Sequence, residues 1–197
     1  MDLKSDSSRA NETIASVRAL FKETVRQKSM TDINRLVQDV LNLAENDLRI
    51  HGVLVETDLQ EDVPHVMADV IQLQQVILNL VKNAIEAMES GLPSRRAIRL
   101  VTTRRGNSVV SLQIRDLGHG MTSEAETRAF DPFFTTKVSG TGLGLSISRR
   151  IIEDHGGELR LLEASSSGTT FELTLPAAGT DMQVLAGSRP LGQEGPP

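Results

Sequence analysis

Apolar residues at Ile14, Val17, Leu20, Phe21 and Val25 recur every three or four positions, which predicts a helix over about residues 11–27. Ile33, Leu36, Val37, Val40, Leu41 and Leu43 predict a second helix, capped by Thr31 or Asp32 and stopped near Gly52. "VLVETDL", Val53 to Leu59, alternates as a strand, "EDVP" turns, and "HVMA" is a short strand. The strongest helical pattern, "DVIQLQQVILNLVKNAIEAMES", opens at Asp69, with Asp69 and Gln72 in capping-box spacing, and ends at "GLPSRR". "AIRLVTTRR" and "SVVSLQIRD" read as strands joined by a hairpin at Gly106-Asn107. Residues 117–141 show no clear period. A helix follows from about Leu143 to His155, stopped by Gly156-Gly157, and "ELRLLEA" and "TTFELTLP" are two closing strands. Past Pro176 the apolar period disappears and Gly and Pro accumulate, which predicts a disordered tail over 177–197. This order predicts an α+β fold, a two-layer α/β sandwich of antiparallel strands with the helices on one face. A loop of that length between 117 and 141 in a compact domain points to function.

Two patterns carry chemistry. On a wheel of ~100° per residue, Asn79, Lys82, Asn83 and Glu86 crowd into an arc of roughly 100° on a helix otherwise apolar around its girth. Periodicity alone reads this strip as wet. The residue choice argues for a ligand: Asn is a poor interior helix former, its carbonyl oxygen is a hard donor suited to Mg²⁺, and Lys82 suits a phosphate. The second pattern is glycine-rich. "RDLGHGM", Arg115 to Met121, puts Asp116 at a strand end before Gly118 and Gly120, and its carboxylate could accept from an exocyclic amine such as that of adenine. "GTGLGLS" leads from Gly140, Gly142 and Gly144 straight into a helix N-terminus, where backbone N–H groups and the helix dipole favour an anion. It is neither a Walker-type phosphate loop nor a dinucleotide fingerprint. Between the two stretches, "FDPFFTTK" concentrates three of the five Phe residues. It reads both as a packing cluster that anchors the loop and as a lid whose Phe residues grip the domain while Lys137 swings to phosphates.

Composition narrows the partners. The chain has 197 residues, a net charge of −5, no Cys, no Trp and no Tyr. It therefore has no disulfide framework or thiolate metal site, and the acidic balance and missing stacking aromatics argue against nucleic acid. No window approaches a membrane span, and the N-terminus has no signal pattern. A cytoplasmic location without membrane contact by this segment is expected.

"NLVKNAIEA", "DLGHGM", "FDPFFTTK" and "GTGLGLS" together resemble, in order and spacing, the N, G1, F and G2 boxes of sensor histidine kinases, within the superfamily shared with gyrase, the heat-shock chaperone and mismatch-repair ATPases. The overall pattern is similar to the oxygen- and nitrogen-regulatory kinases of bacteria. The resemblance implies a Bergerat-type fold: a mixed, mostly antiparallel sheet with three helices on one face, preceded by a helix. It implies residues 1–30 as the remnant of a second dimerisation helix and linker, and 31–176 as an ATP-binding catalytic domain. ATP and Mg²⁺ are the implied cofactors. Asn83 would hold the metal and Asn79 would face the phosphates. Asp116 would bind the adenine amino group, in a pocket shaped by Gly118, Gly120 and Met121, with Thr170 nearby. Lys137 and the stretch Gly140, Thr141, Gly142, Leu143, Gly144 and Leu145 would touch the phosphates, and Lys82 fits a basic position before the second Asn. Asn79, Lys82 and Lys137 are the implied catalytic residues. Glu86 departs from relatives that carry Lys there.

The implied reaction is transfer of the ATP γ-phosphoryl group to a histidine of a dimerisation domain, with a response regulator downstream; the family allows a homodimer of the parent. None of His51, His65, His119 and His155 sits in an acceptor-like box. The chain is thus expected to be a catalytic fragment without its acceptor histidine. Two rival readings are an ATP-hydrolysing or serine-kinase member of the superfamily, and a non-catalytic nucleotide-binding interaction module. The first would want a Glu where Asn79 stands, since Asn is a poor base.

Overall fold

The computed structural model describes residues 27–89, 96–106, 108–137 and 140–179. The helix expected over 11–27, most of the 1–30 remnant, Asn107 of the hairpin turn and the tail from residue 180 lie outside them.

Five strands form one sheet in the order β2-β4-β5-β7-β6: β2 (Leu54–Leu59), β4 (Ala97–Arg105), β5 (Val109–Asp116), β6 (Glu158–Ser165) and β7 (Gly168–Pro176). Three of the four pairings are antiparallel; β2 joins β4 in parallel, Leu54 opposite Ala97. That parallel edge makes the sheet mixed, as the resemblance implied. The alternation settles which face is inward. Ile98, Leu100, Leu112, Ile114, Leu173, Leu175 and Leu159 share the buried side. Against it lie α1 (Ile33–Ile50), α2 (Val70–Met88) and α4 (Gly144–Asp154), which give Val37, Val40, Ile77, Leu80, Val81 and Ile152 to one continuous core.

Two helix starts follow the sequence. Asp32 caps α1, accepting from the N–H groups of Asn34 and Arg35; Asp69 caps α2, accepting from Ile71 and Gln72. The capping box at α2 is only half formed. Gln72 does not return the bond: the Asp69 N–H donates to His155 Nε2 at 3.0 Å, and Gln72 Oε1 is buried with no partner among the described residues. A tertiary acceptor has replaced the local one.

Two elements went unread. β1 (Ser29–Thr31) pairs antiparallel with β3 (Val66–Ala68), Met30 facing Met67, so these residues of the supposed linker belong to the domain's own small sheet. α3 (Ser123–Arg128) interrupts the long loop, capped by Thr122 and braced by an Arg128–Glu124 pair at 2.7 Å. The ordered chain also passes Pro176. Ala177 N–H donates to the Ser108 carbonyl and Ala178 N–H to that of His65.

Candidate nucleotide site

α2 carries the polar strip. Asn79 and Asn83 are half-buried on it, while Lys82 and Glu86 are exposed. The remaining faces bury Leu73, Val76, Ile77, Leu80, Val81, Ala84, Ile85 and Met88, so the helix cannot rotate without exposing its core stripe.

The glycine turn meets this strip directly. A Cβ on Gly144 would lie 2.6 Å from Asn79 Oδ1, and Gly142 holds φ +67 with its Cα against the Phe133 backbone. The space beside these two glycines is thus filled by the protein's own Asn79 and F segment. Asn79 Nδ2 donates to Ser148 Oγ at 3.0 Å, locking α2 to α4. Ser148 is a residue that sequence reasoning missed. Its signal was a hydroxyl inside the buried Ile147–Ile151–Ile152 stripe of α4. Among the described residues no side chain caps α4, whose first turn begins at the Leu143–Gly144 junction. Leu143 is buried and Leu145 packs on the core, so of these two residues the backbone, rather than the side chain, is what a ligand could meet. Thr141 is exposed, and its Oγ1 accepts from the Leu143 N–H.

Asp116 ends β5 on the buried face. Its Oδ1 accepts from the N–H groups of Gly118 at 2.8 Å and Thr169 at 3.2 Å. Burial pushes its carboxyl above the ordinary aspartate value, against the lowering pull of those two N–H groups and of the His119 and Arg115 charges. The loop after it is pressed against the end of α2. His119 N–H donates to the Ala87 carbonyl, and a Cβ on Gly118 would strike Ala87 at 2.7 Å. Gly120 (φ +72) packs still more closely on Ser165, and Met121 lies half-buried on the core. Asp116 and the two asparagines therefore border one region.

Thr170 is not brought to Asp116. It pairs with Arg115, so its side chain lies on the other face of the sheet, lining a shallow depression with Arg99, Arg115 and Glu163. The residue that does reach Asp116 is Thr169, through its backbone.

The F segment divides its aromatics. Phe130 is gripped, edge-on to Phe171 at 6.1 Å between centroids and under the Arg149 guanidinium at 3.6 Å. Phe134 lies under Arg128. Phe133 grips nothing: it is 75% exposed and, among the described residues, the one non-glycine residue with left-handed backbone, φ 67. Its N–H donates to the Gly142 carbonyl at 2.9 Å, which fixes that conformation and aims the ring outward. At the end of the segment the Lys137 ammonium donates to Asn83 Oδ1 at 2.8 Å and pairs with the Glu86 carboxylate. Glu86, the residue without a role in the sequence reading, is thus a partner of Lys137.

Three of the four histidines are engaged in structure. His155 is 4% exposed; its Nδ1 donates to the Ile151 carbonyl and its Nε2 accepts from Asp69, which fixes a neutral tautomer. Burial lowers its pKa, against the raising pull of the Ile151 carbonyl and of the Asp69 and Asp154 charges. His51 caps α1, and His119 Nδ1 contacts the Gly120 carbonyl.

A family model described as "Histidine kinase-, DNA gyrase B-, and HSP90-like ATPase" matches residues 68–179. The chain belongs to that family. It is 37% identical over 173 residues to the sensor protein TdiS of Thauera aromatica, covering 85% of this chain and 31% of TdiS. Its identity to the sensor protein FixL of Bradyrhizobium diazoefficiens is 35% over 170 residues, covering 86% and 33%. It thus spans about a third of these relatives' length. Among solved structures, the catalytic domain of the histidine kinase ThkA superposes with a TM-score of 0.67 at 34% identity, over 76% of this chain and 95% of that one. ThkA in complex with the response regulator TrrA superposes with 0.72 at 29% identity, over 89% and 49%. Among the described residues, no helix is long and apolar enough to cross a membrane.

Proposed function

We propose that this domain binds ATP between α2 and the loops at Asp116 and Gly140–Leu145, and transfers its γ-phosphoryl group to the imidazole of a histidine on a separate dimerisation segment. The observation that carries this is the convergence of Asn79, Asn83, Asp116 and the uncapped start of α4 on one region. Asp116 Oδ1 is committed to backbone N–H groups, so Oδ2 is the oxygen left to accept from the adenine amine, with Gly118, Gly120 and Met121 as the floor. The N–H groups opening α4 face the phosphates. Lys137 and Lys82 offset the charge that moves onto the leaving oxygen.

Asn83 Oδ1 already accepts a cation, the Lys137 ammonium, and is a hard oxygen donor of the kind Mg²⁺ takes. Mg²⁺ bound there would supply charge neutralisation at the phosphates.

In the transfer, the P–O bond to ADP breaks as the N–P bond to the imidazole forms. A neutral imidazole brings its own lone pair, so no carboxylate base is required. Asn79 is consistent with this: it offers an amide, held by Ser148, where a hydrolase would want a carboxylate base. The cytoplasm is the compartment we assign. A response regulator, as ThkA binds TrrA, is the assigned recipient downstream.

The test is a calorimetric ATP titration of the chain followed by incubation with labelled ATP. Saturable binding is expected, without acid-labile label on the chain's own histidines. Label should appear once a histidine-bearing dimerisation segment is added. Self-labelling of one of the four histidines, or no ATP binding at millimolar concentration, would overturn the proposal.

A further inference from the structure

Asn83 and Glu86 stand three residues apart on α2, so their side chains are neighbours on its surface. Both point an oxygen at the same ammonium, that of Lys137, which reaches them from 54 and 51 positions away in sequence. Two convergent hard oxygens, one anionic, make a pair suited to a compact divalent cation. Such a cation is commonly held by one or two carboxylates together with substrate phosphates. An ammonium and a metal ion cannot share that point, on grounds of volume and of like charge.

We infer that Glu86 and Asn83 form one cation-binding pair, and that Lys137 and the metal of a metal–nucleotide compete for it. Lys137 held by Glu86 is withheld from the phosphates. When the metal takes the pair, Lys137 is released toward the γ-phosphate, so metal binding and lid engagement become one event. This rests on the proposed ATP site and adds to it a second protein oxygen for the metal and a parking place for the lysine. A lysine at position 86 would repel both Lys137 and the metal, whereas the carboxylate attracts either. Lys137 and Glu86 are about two-fifths and one-half exposed, so they can exchange partners without unpacking the core.

The experiment measures ATP affinity by calorimetry on the full chain, with Mg²⁺ and with excess EDTA, for the wild type and Glu86→Gln. Without metal, Glu86→Gln should bind ATP more tightly, by about three- to fivefold, the range of a half-exposed charge pair, because Lys137 is no longer detained and a repelling carboxylate is gone. With Mg²⁺ it should bind more weakly, so the gain in affinity conferred by metal shrinks. In a Lys137→Met background the metal-free gain from Glu86→Gln should fall to that of charge removal alone. An unchanged metal gain in Glu86→Gln, or weaker binding under both conditions, would overturn the inference. Wild-type ATP binding reads the underlying site separately: if the wild type binds no ATP, the proposed function itself fails, whereas intact binding with an unaltered metal gain sinks only the exchange. A far-ultraviolet circular dichroism melt confirms that each variant is folded.

Discussion

Asp116, the residue proposed to accept from adenine, acts against the fold that holds it. Its buried carboxyl has a pKa above the ordinary value, burial outweighing the two backbone N–H bonds. A carboxyl with a raised folded-state pKa favours folding at low pH and loses that advantage as pH rises through the interval between about 3.9 and the raised value. At neutral pH the raised pKa of Asp116 therefore costs stability. Asp116→Asn keeps an oxygen for the N–H groups of Gly118 and Thr169 while removing the charge. Its melting temperature at pH 7 is expected to rise, with the difference closing as pH falls through that interval. Its ATP affinity should fall about tenfold or more, the scale of a lost hydrogen bond to a charged acceptor. Equal melting curves at pH 7 and pH 3, or full ATP affinity, would contradict this trade.

Between elements, α2 and α4 are tied at two places: Asn79 to Ser148 near the glycine turn, and Asp69 to His155 at the far end. The second tie requires a neutral imidazole, because a protonated Nε2 can only donate. Burial is the main reason the His155 pKa is lowered; Lys28 adds to that, while the Ile151 carbonyl, Asp69 and Asp154 oppose it. The unfolded chain thus takes up this proton first. As pH drops below about 6.5 the fold loses stability, until the lowered folded-state value is passed. Urea midpoints should fall from pH 7 to pH 5, and His155→Gln, which keeps an acceptor for the Asp69 N–H, should flatten that slope. An unaltered slope in the variant would exclude His155 as its source.

The same elements show how far the sequence could be read. The caps at Asp32 and Asp69 were legible because capping is local, and the α2 stripe because eight buried apolar positions repeat with the helix period. β1 was not, since three residues carry no period and its partner β3 is distant in sequence. α3 is polar on most sides and signalled itself only through Thr122 and a Glu124–Arg128 pair. In the site, Asn79, Asn83 and Asp116 could be read as unusual residues in regular places. The Asn79–Ser148, Asp116–Thr169 and Lys137–Glu86 contacts could not, because each joins partners 50 or more positions apart.

At the scale of the whole molecule, the described helices pack on one face of the sheet, and among the described residues the other face is held by a charge. Glu172 on β7 is fully buried there, although it lies opposite the core. It accepts from Arg105 on β4 at 2.6 Å, Ser111 and Gln113 on β5 at 2.7 and 3.1 Å, and Arg160 on β6 at 3.2 Å. One carboxylate therefore spans four of the five strands. In the sequence it looks like any polar residue alternating with Phe171 and Leu173. Burial pushes its pKa up, but the bonds from Ser111 and Gln113 and the charges of Arg105 and Arg160 together bring it below the ordinary glutamate value. A depressed folded-state value means stability that is present above the unfolded pKa and is lost as pH falls through the folded one. Glu172→Gln keeps the shape and removes the charge that two guanidinium groups share. It should lower stability at pH 7 by about 1–3 kcal/mol, as for a buried charged acceptor left half-satisfied. That corresponds to roughly 2–4 °C of melting temperature per kcal/mol in a domain of this size. Wild type and variant should converge in acid, where the wild-type carboxyl is itself protonated. ATP affinity should be unchanged, because Glu172 lies on the face opposite Asp116; a variant that melts as the wild type does at pH 7 would show that the four-strand clamp contributes nothing.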